Sequence, residues 1–426
     1  MARASTTTLR ELVENEARRA GVAAAALDDA RVTTALRSAA ELVRANRSTI
    51  VDVNAADCDR ARDRVDEGTL DRLRLDDDRV DALAEQLTAT AEIAPLERDI
   101  ATWTLANGLR VTERRVPIGA VGANFEARPN VVLDIAAQLL KSLNSAVLRT
   151  GGAALGTATC LVDDVLRPAL ADAGLPRDAV GLVRSPDHTG AELLVSLPRL
   201  VPLVILRGSG ETTARLARLA AENGVRTLAH AEGGGVLYIH GAASRERALA
   251  VARSSLDRLG VCNRLNLALV DRGALQLLPD LVALFASLSL EVRATPRALE
   301  HAVDTLPLDR RLGHEWANDS ERVATVTLDV VDGVTEAVAI ANEETSGLAA
   351  GIVTEDAGAA ERFLDSYRGT SAFWHAPTRF ADGFELTGVP ETGINIDSVP
   401  GPRGPVTYRD LWLRQYRVVG DASQTR

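Results

Sequence analysis

Residues 116–152 read VPIGAVGANFEARPNVVLDIAAQLLKSLNSAVLRTGG, and their pattern sets the fold class. Val116 to Phe125 is a near-continuous apolar run, as expected of a strand buried on both faces. Glu126-Ala127-Arg128-Pro129-Asn130 interrupts it with polar and conformationally restricted residues. Val132, Ile135, Ala136, Leu139 and Leu140 then recur at helical spacing, with Asn130 where an N-cap belongs. Ser145–Arg149 is a second buried strand, closed by Thr150-Gly151-Gly152. The whole is a βαβ unit whose charged turn lies at the carboxyl end of its first strand, where α/β sheets place ligands.

The same alternation continues outward. Residues 1–95 carry amphipathic helical patterns, among them Leu9, Leu12, Ala17, Ala20 and Val22. In Trp103–Val116, residues alternate on either side of Asn107-Gly108, a strong hairpin signal. Strands are expected at Val180–Arg184, Leu200–Leu206, Val225–Leu228 and Gly235–His240, with helices between them. A second α/β set follows, with strands at Leu265–Val270, Arg322–Val331, Ala350–Thr354 and Ser371–Trp374 and a last strand in Leu411–Val419. This predicts two doubly wound α/β domains joined near residue 245, with a cleft between them. The expected division is 1–245 for N-terminal helices and a cofactor-binding domain, and 246–405 for a catalytic domain. The hairpin 101–117 and the tail 406–426 are too peripheral to serve either core and are assigned to oligomerisation.

Composition narrows the function classes. A net charge of −11 over 426 residues argues against nucleic acid or an anionic membrane as partner. No apolar run approaches the roughly 20 residues of a membrane span. The N-terminal stretch is amphipathic and carries several acids, which suits neither a secretory signal nor a transit peptide. Cys58, Cys160 and Cys262 are too few and too scattered for a disulfide framework, so a reducing cytoplasm is expected. The histidines show no metal-ligand spacing, and no metal site is expected.

Cys262 is the candidate nucleophile. It stands in RLGVCNRLNLALVD, residues 258–271, between a helix and a strand; local sequence also allows a small buried hydrophobe. Asn130 offers a side-chain amide for an oxyanion, or simply an N-cap. Arg128 can grip a carboxylate or phosphate, or pair with Glu126. Arg149-Thr150-Gly151 and Arg207-Gly208-Ser209 each end a strand before a helix, as tight turns or as cradles for a nucleotide phosphate.

The block PIGAVGANFEARPN…LLKSLNSAVLRTGG resembles the γ-glutamyl phosphate reductases, the glutamate-5-semialdehyde dehydrogenases of proline biosynthesis, within the aldehyde dehydrogenase superfamily. The resemblance resumes at Glu355-Asp356, at Ser371-Ala372, at TRFADGF (residues 378–384) and at Arg403-Gly404-Pro405. It implies an aldehyde dehydrogenase-like α/β fold and NADPH-dependent reduction of an acyl phosphate, L-glutamyl 5-phosphate or a close analogue, through a Cys262 thioester. It also implies a homo-oligomer built on the hairpin and the terminal strand, and functional coupling to an amino-acid kinase that makes the acyl phosphate. It marks Cys262 and Asn130 as catalytic, because the family carries its cysteine in a Cys-Asn pair before an apolar strand. Cofactor contacts fall to Arg149, Thr150, Gly151, Arg207, Gly208, Ser209 and Glu321, with the arginines suited to a 2′-phosphate. Substrate contacts fall to Glu126, Arg128, Asn263 and Arg379.

The chain departs from that family where substrate should sit. Asn266 stands where a glutamate follows the cysteine, no Cys-His pair follows the glycines of HAEGGG, and the GLGAEIG-like segment reads TGVPETG, residues 387–393. These changes point to a divergent member. Alternatives are a specialised paralogue that reduces another acyl phosphate or oxidises an aldehyde, with Glu232 as the base, or a non-catalytic scaffold of the same fold.

Overall fold

The computed structural model describes residues 2–65, 67–126, 128–208, 210–230, 233–259, 261–308, 324–397 and 401–425. Helices α1 (Ala2–Ala24), α2 (Asp29–Ala45), α3 (Arg47–Ala61), α4 (Glu67–Leu73) and α5 (Asp77–Glu92) come first. Side-chain caps start two of them: Asp28 accepts from the Arg31 amide and Asp76 from the Arg79 amide, each at 2.9 Å.

Strands β1 (Asp99–Thr104) and β2 (Arg110–Pro117) form the expected hairpin around Gly108, whose φ of +87° suits glycine. The apolar run 116–125 is not one strand. Residue Gly119, at φ +111°, breaks it, and the Asn144 side chain accepts from the amides of Ile118 and Gly119 at 2.7 and 3.0 Å. Its first residues end β2, and the rest forms β3 (Ala120–Phe125), buried throughout.

Five parallel strands make the first sheet: β3, β4 (Ser145–Thr150), β5 (Val180–Leu182), β6 (Leu203–Arg207) and β7 (Arg226–His230), in the order β5-β4-β3-β6-β7. The order reverses between β3 and β6, so these neighbours flank a topological switch point. Helix α6 (Asn130–Lys141) joins β3 to β4. It packs with α2 and α5 on one face, while α1 contributes Val13, Ala17 and Ala20 to the other.

The second sheet contains β8 (Gly235–Ile239), β9 (Leu265–Asp271), β10 (Glu291–Ala294), β11 (Leu306–Pro307), β12 (Thr325–Val331), β13 (Ala349–Val353) and β14 (Ser371–Trp374). All are parallel, in the order β11-β10-β12-β9-β8-β13-β14. Strand β8 was expected in the first domain, yet it pairs with β9 and β13. The change of sheet therefore falls between β7 and β8, ahead of residue 245. Helices Arg245–Ser254 and Leu278–Ser287 cover one face, and Val334–Glu343 and Ala357–Ser366 the other.

Short strands β15 (Gly393–Asn395) and β16 (Gly404–Val406) pair with each other, and β17 (Trp412–Val419) returns to pair along β2. The expected architecture holds: two doubly wound α/β layers and a small β ribbon.

Candidate active site

Four loop or strand-end segments and two helices converge on one cavity of about 580 Å³. The turn after β3 supplies Glu126, Arg128 and Asn130, and the end of β6 supplies Arg207 and Gly208. The loop before β9 supplies Arg258, Val261 and Cys262, and Glu391 comes from just before β15. Helices α4 and α5 close the remaining side with residues such as Arg72 and Gln86. The cavity stands at the carboxyl ends of β3 and β6, the switch point of the first sheet.

Close backbone packing sets the position of Cys262. Its carbonyl accepts from the Gly234 amide at 2.6 Å. A Cβ on Gly233 would lie 2.5 Å from both the Cys262 Cβ and its carbonyl oxygen, so only glycine permits this approach. Asn263, next along, turns away from the cavity. Its amide donates to the Arg379 and Ala381 carbonyls at 2.9 and 3.1 Å, and Arg379 donates back to Asn263 Oδ1 and to Asp257. Thr378 Oγ1 donates to the Asn263 carbonyl at 2.8 Å. Asn263 and Arg379, expected on the substrate, are thus committed to a clamp that fixes the cysteine loop. Turning the Asn263 amide outward would leave the two carbonyls without their donor, at a cost of about 1–3 kcal/mol for a buried acceptor.

Asn130 is the first residue of α6, and Pro129 holds the cap position. Its side chain therefore does not cap the helix. Nδ2 donates to Asp134 Oδ2 at 3.1 Å, one turn along, and the residue faces the cavity with Cys262. Burial holds the Asp134 carboxyl up at about 6, against the pull of Arg207, Asn130 and Gln86.

The cavity is strongly cationic. Arg72, Arg74, Arg79, Arg128, Arg207 and Arg258 line it, against Asp71, Glu126 and Glu391. Arg79 is already occupied by Asp71 at 2.9 Å. Burial and the charges of Arg207 and Arg72 push the Arg128 guanidinium down to about 10. The Cys262 thiol is pushed up to about 11 by burial and by Glu391, with Arg207 and Arg128 pulling the other way. Glu391 is raised to about 7 by burial and by Asp382. Such opposed perturbations in one cleft mark a functional site.

The expected cofactor residues divide. Arg149 is buried: Nη1 donates to Asn124 Oδ1 at 3.1 Å and Nη2 to the Asp187 carbonyl at 3.0 Å. Its Nε and the Thr150 Oγ1 are enclosed without a partner among the described residues. Beside them Gly151 leaves open space where a Cβ would be. Arg207 lines the cavity with Cys262, apart from this group. At Gly208 a Cβ would come within 3.0 Å of the Glu126 carboxyl group. Ser209, Glu232 and Glu321 lie outside the described residues. Sequence reading missed Glu391, Asp134 and the arginines of the α4–α5 region; only the retained glutamate in TGVPETG gave a signal.

The sequence profile of the aldehyde dehydrogenase family matches residues 1–296. This chain belongs to the aldehyde dehydrogenase family. Within it the chain is 33% identical to a γ-glutamyl phosphate reductase of Rhodospirillum rubrum over 421 residues, 97% of this chain and 96% of that one. The crystal structure of a γ-glutamyl phosphate reductase from Thermotoga maritima superposes with a TM-score of 0.90 at 26% identity, covering 97% of this chain and 100% of that one. An acetylating aldehyde dehydrogenase from Geobacillus thermoglucosidasius shares the fold, with a TM-score of 0.69 at 14% identity and 99% of each chain covered. The chain is accordingly an oxidoreductase of the γ-glutamyl phosphate reductase type, a divergent member of that group. Aldehyde dehydrogenase family proteins use NAD or NADP. Among the described residues no helix is long and apolar enough to cross a membrane.

Proposed function

We propose that this aldehyde dehydrogenase family member reduces an acyl phosphate, L-glutamyl 5-phosphate or a close analogue, to the aldehyde. Cys262 carries the acyl group as a thioester and NADPH is the reductant. The reading rests on one observation: Cys262, Asn130 and a cluster of arginines share a single cavity. A thiol alone would suit many reactions, but a thiol among guanidinium groups suits an electrophile that carries phosphate.

The Cys262 sulfur attacks the acyl carbon, the second N–H of Asn130 Nδ2 and a backbone amide stabilise the oxyanion, and the C–O bond to phosphate breaks. Hydrogen bonding to Asp134 fixes the Asn130 amide, so little reorganisation accompanies charge development. Arg128 and Arg207 bind the phosphate before and after bond cleavage. The cofactor would be held by Arg149, Thr150, Gly151 and Gly208. The orphaned Thr150 hydroxyl and Arg149 Nε fit a group that brings its own polar atoms to the carboxyl end of β4. When bound, NADPH supplies the hydride that turns the thioester into the aldehyde. Arg207, first expected on the cofactor, is reassigned here to the substrate phosphate.

The enzyme acts in the cytoplasm as a homo-oligomer assembled through the β1-β2-β17 ribbon, and a kinase supplies its acyl phosphate. The test runs the reaction in reverse: NADP reduction by glutamate 5-semialdehyde with and without inorganic phosphate. Turnover should require phosphate. Cys262→Ala should abolish it, by more than 10³-fold, while leaving NADPH binding by fluorescence unchanged. Substantial activity in that variant would rule out the covalent route.

A further inference from the structure

A thiol held up near 11 by burial is protonated at neutral pH, and its proton must leave as sulfur bonds to carbon. The cavity offers few acceptors. Asp71 is paired with Arg79, Asp134 holds Asn130, and Glu126 packs against the backbone at Gly208. Glu391 differs from all three. Its Oε2 is fully enclosed, and no side chain among the described residues hydrogen-bonds to it. Of the charges around Cys262, that of Glu391 acts most strongly on the thiol.

The fold holds this carboxylate in place. The next residue, Thr392, is buried, and its amide and hydroxyl both donate to the Val406 carbonyl, at 2.7 and 3.0 Å. A Cβ on Gly383 would lie 2.5 Å from Glu391 Oε2, so glycine leaves the notch that the carboxyl group fills. Gly393 rests against the Arg207 side chain, a Cβ there meeting Cδ and Cγ at 3.8 Å. The segment thus ties Glu391 to the cavity wall that carries Arg207.

We propose that Glu391 relays the Cys262 proton to the departing phosphate. This inference deepens the reading above and rests on it. The Glu391 carboxylate accepts the thiol proton as the S–C bond forms. The acyl C–O bond then breaks, and Glu391 gives the same proton to the phosphate oxygen that leaves. Thiol and acyl phosphate dianion become thioester and hydrogen phosphate, with no proton gained or lost. In reverse, Glu391 takes a proton from attacking hydrogen phosphate and returns it to the sulfur. A group that titrates near 7 suits both directions.

Two measurements on Glu391→Gln and Glu391→Asp test the relay. Alkylation of Cys262 by iodoacetamide needs thiolate but no protonated leaving group. Loss of the neighbouring negative charge should leave it as fast or several-fold faster at pH 8. Phosphate-dependent oxidation of glutamate 5-semialdehyde needs the relay, and Glu391→Gln should slow it about 100-fold, with partial recovery in Glu391→Asp. Opposite movement of the two rates is the expected signature. Parallel changes in both rates, or Glu391→Gln turnover within about threefold of the parent, would overturn the relay while leaving the thioester route intact. Turnover that survives Cys262→Ala, or needs no phosphate, would instead remove the underlying reading and the relay with it.

Discussion

At the scale of single residues, a missing side chain positions the nucleophile. Gly233 lets the strand that becomes β8 pass against Cys262, where a methyl group would collide with backbone as well as side chain. Neither can yield cheaply, because the clamp of Asn263, Arg379 and Thr378 holds the loop from its other side. Gly233→Ala should therefore displace the sulfur by a fraction of an ångström. The expected result is a loss of about 100-fold in kcat/KM and a destabilisation of about 1–3 kcal/mol in urea unfolding. A Cys-Asn pair and an Arg-Pro-Asn turn marked Cys262 and Asn130 as candidates in the sequence, and the structure brings both to one cavity, with Pro129 rather than Asn130 at the helix cap. The clamp of Asn263 and Arg379 was not legible there, since polarity does not say whether a side chain meets a ligand or a carbonyl 116 residues away. Glu391 looked like any acid in a turn; only its enclosure makes it unusual.

At the scale of elements, hydrophobic pattern located most strands but not their partners. The run 116–125 is apolar except for Asn124, so periodicity could not reveal that it serves two sheets. Gly119 and the Asn144 side chain supply the break. The same limit misplaced β8: a buried parallel strand reads alike in either sheet. The β1-β2-β17 ribbon was better marked, by Asn107-Gly108 and by alternation. Its apolar residues Trp103, Leu413, Tyr416 and Val418 are exposed, with Trp103 and Tyr416 edge to face at 6.1 Å. Such a patch, on a ribbon with free edges, is the surface that the proposed homo-oligomer would cover. The double substitution Trp103→Glu and Tyr416→Glu should shift the protein to a single-protomer species in light scattering, with secondary structure retained in circular dichroism. An unchanged assembly would assign oligomerisation to another surface.

At the scale of the whole molecule, the charge distribution opposes the net charge. A chain of −11 concentrates six arginines around one cavity. They come from α4, the segment after it and α5, the turn after β3, the end of β6 and the loop before β9, so no local stretch of sequence looks basic. Asp71, Glu126 and Glu391 offset part of their mutual repulsion, and under the proposed function a bound phosphate relieves more of it. Arg72 illustrates the point: it belongs to an N-terminal helix, yet its charge reaches Arg128. Arg72→Ala should raise the KM for inorganic phosphate in the reverse reaction about tenfold with kcat little changed, and Arg10→Ala, on the exposed face of α1, should change neither.

The sequence by itself determined the two α/β layers, the ribbon, the candidate nucleophile and the turn that faces it. Each of these is written in short-range periodicity or in a local motif, where neighbours in the chain are neighbours in space. The tertiary structure alone decided which strands share a sheet, which polar residues are used up in a clamp, and how six scattered arginines meet Glu391 and Cys262 in one cavity. Those outcomes depend on contacts between segments hundreds of residues apart. Burial and Coulomb energies arise only once such segments pack, so the chemistry of the cavity belongs to the fold rather than to any stretch of the chain.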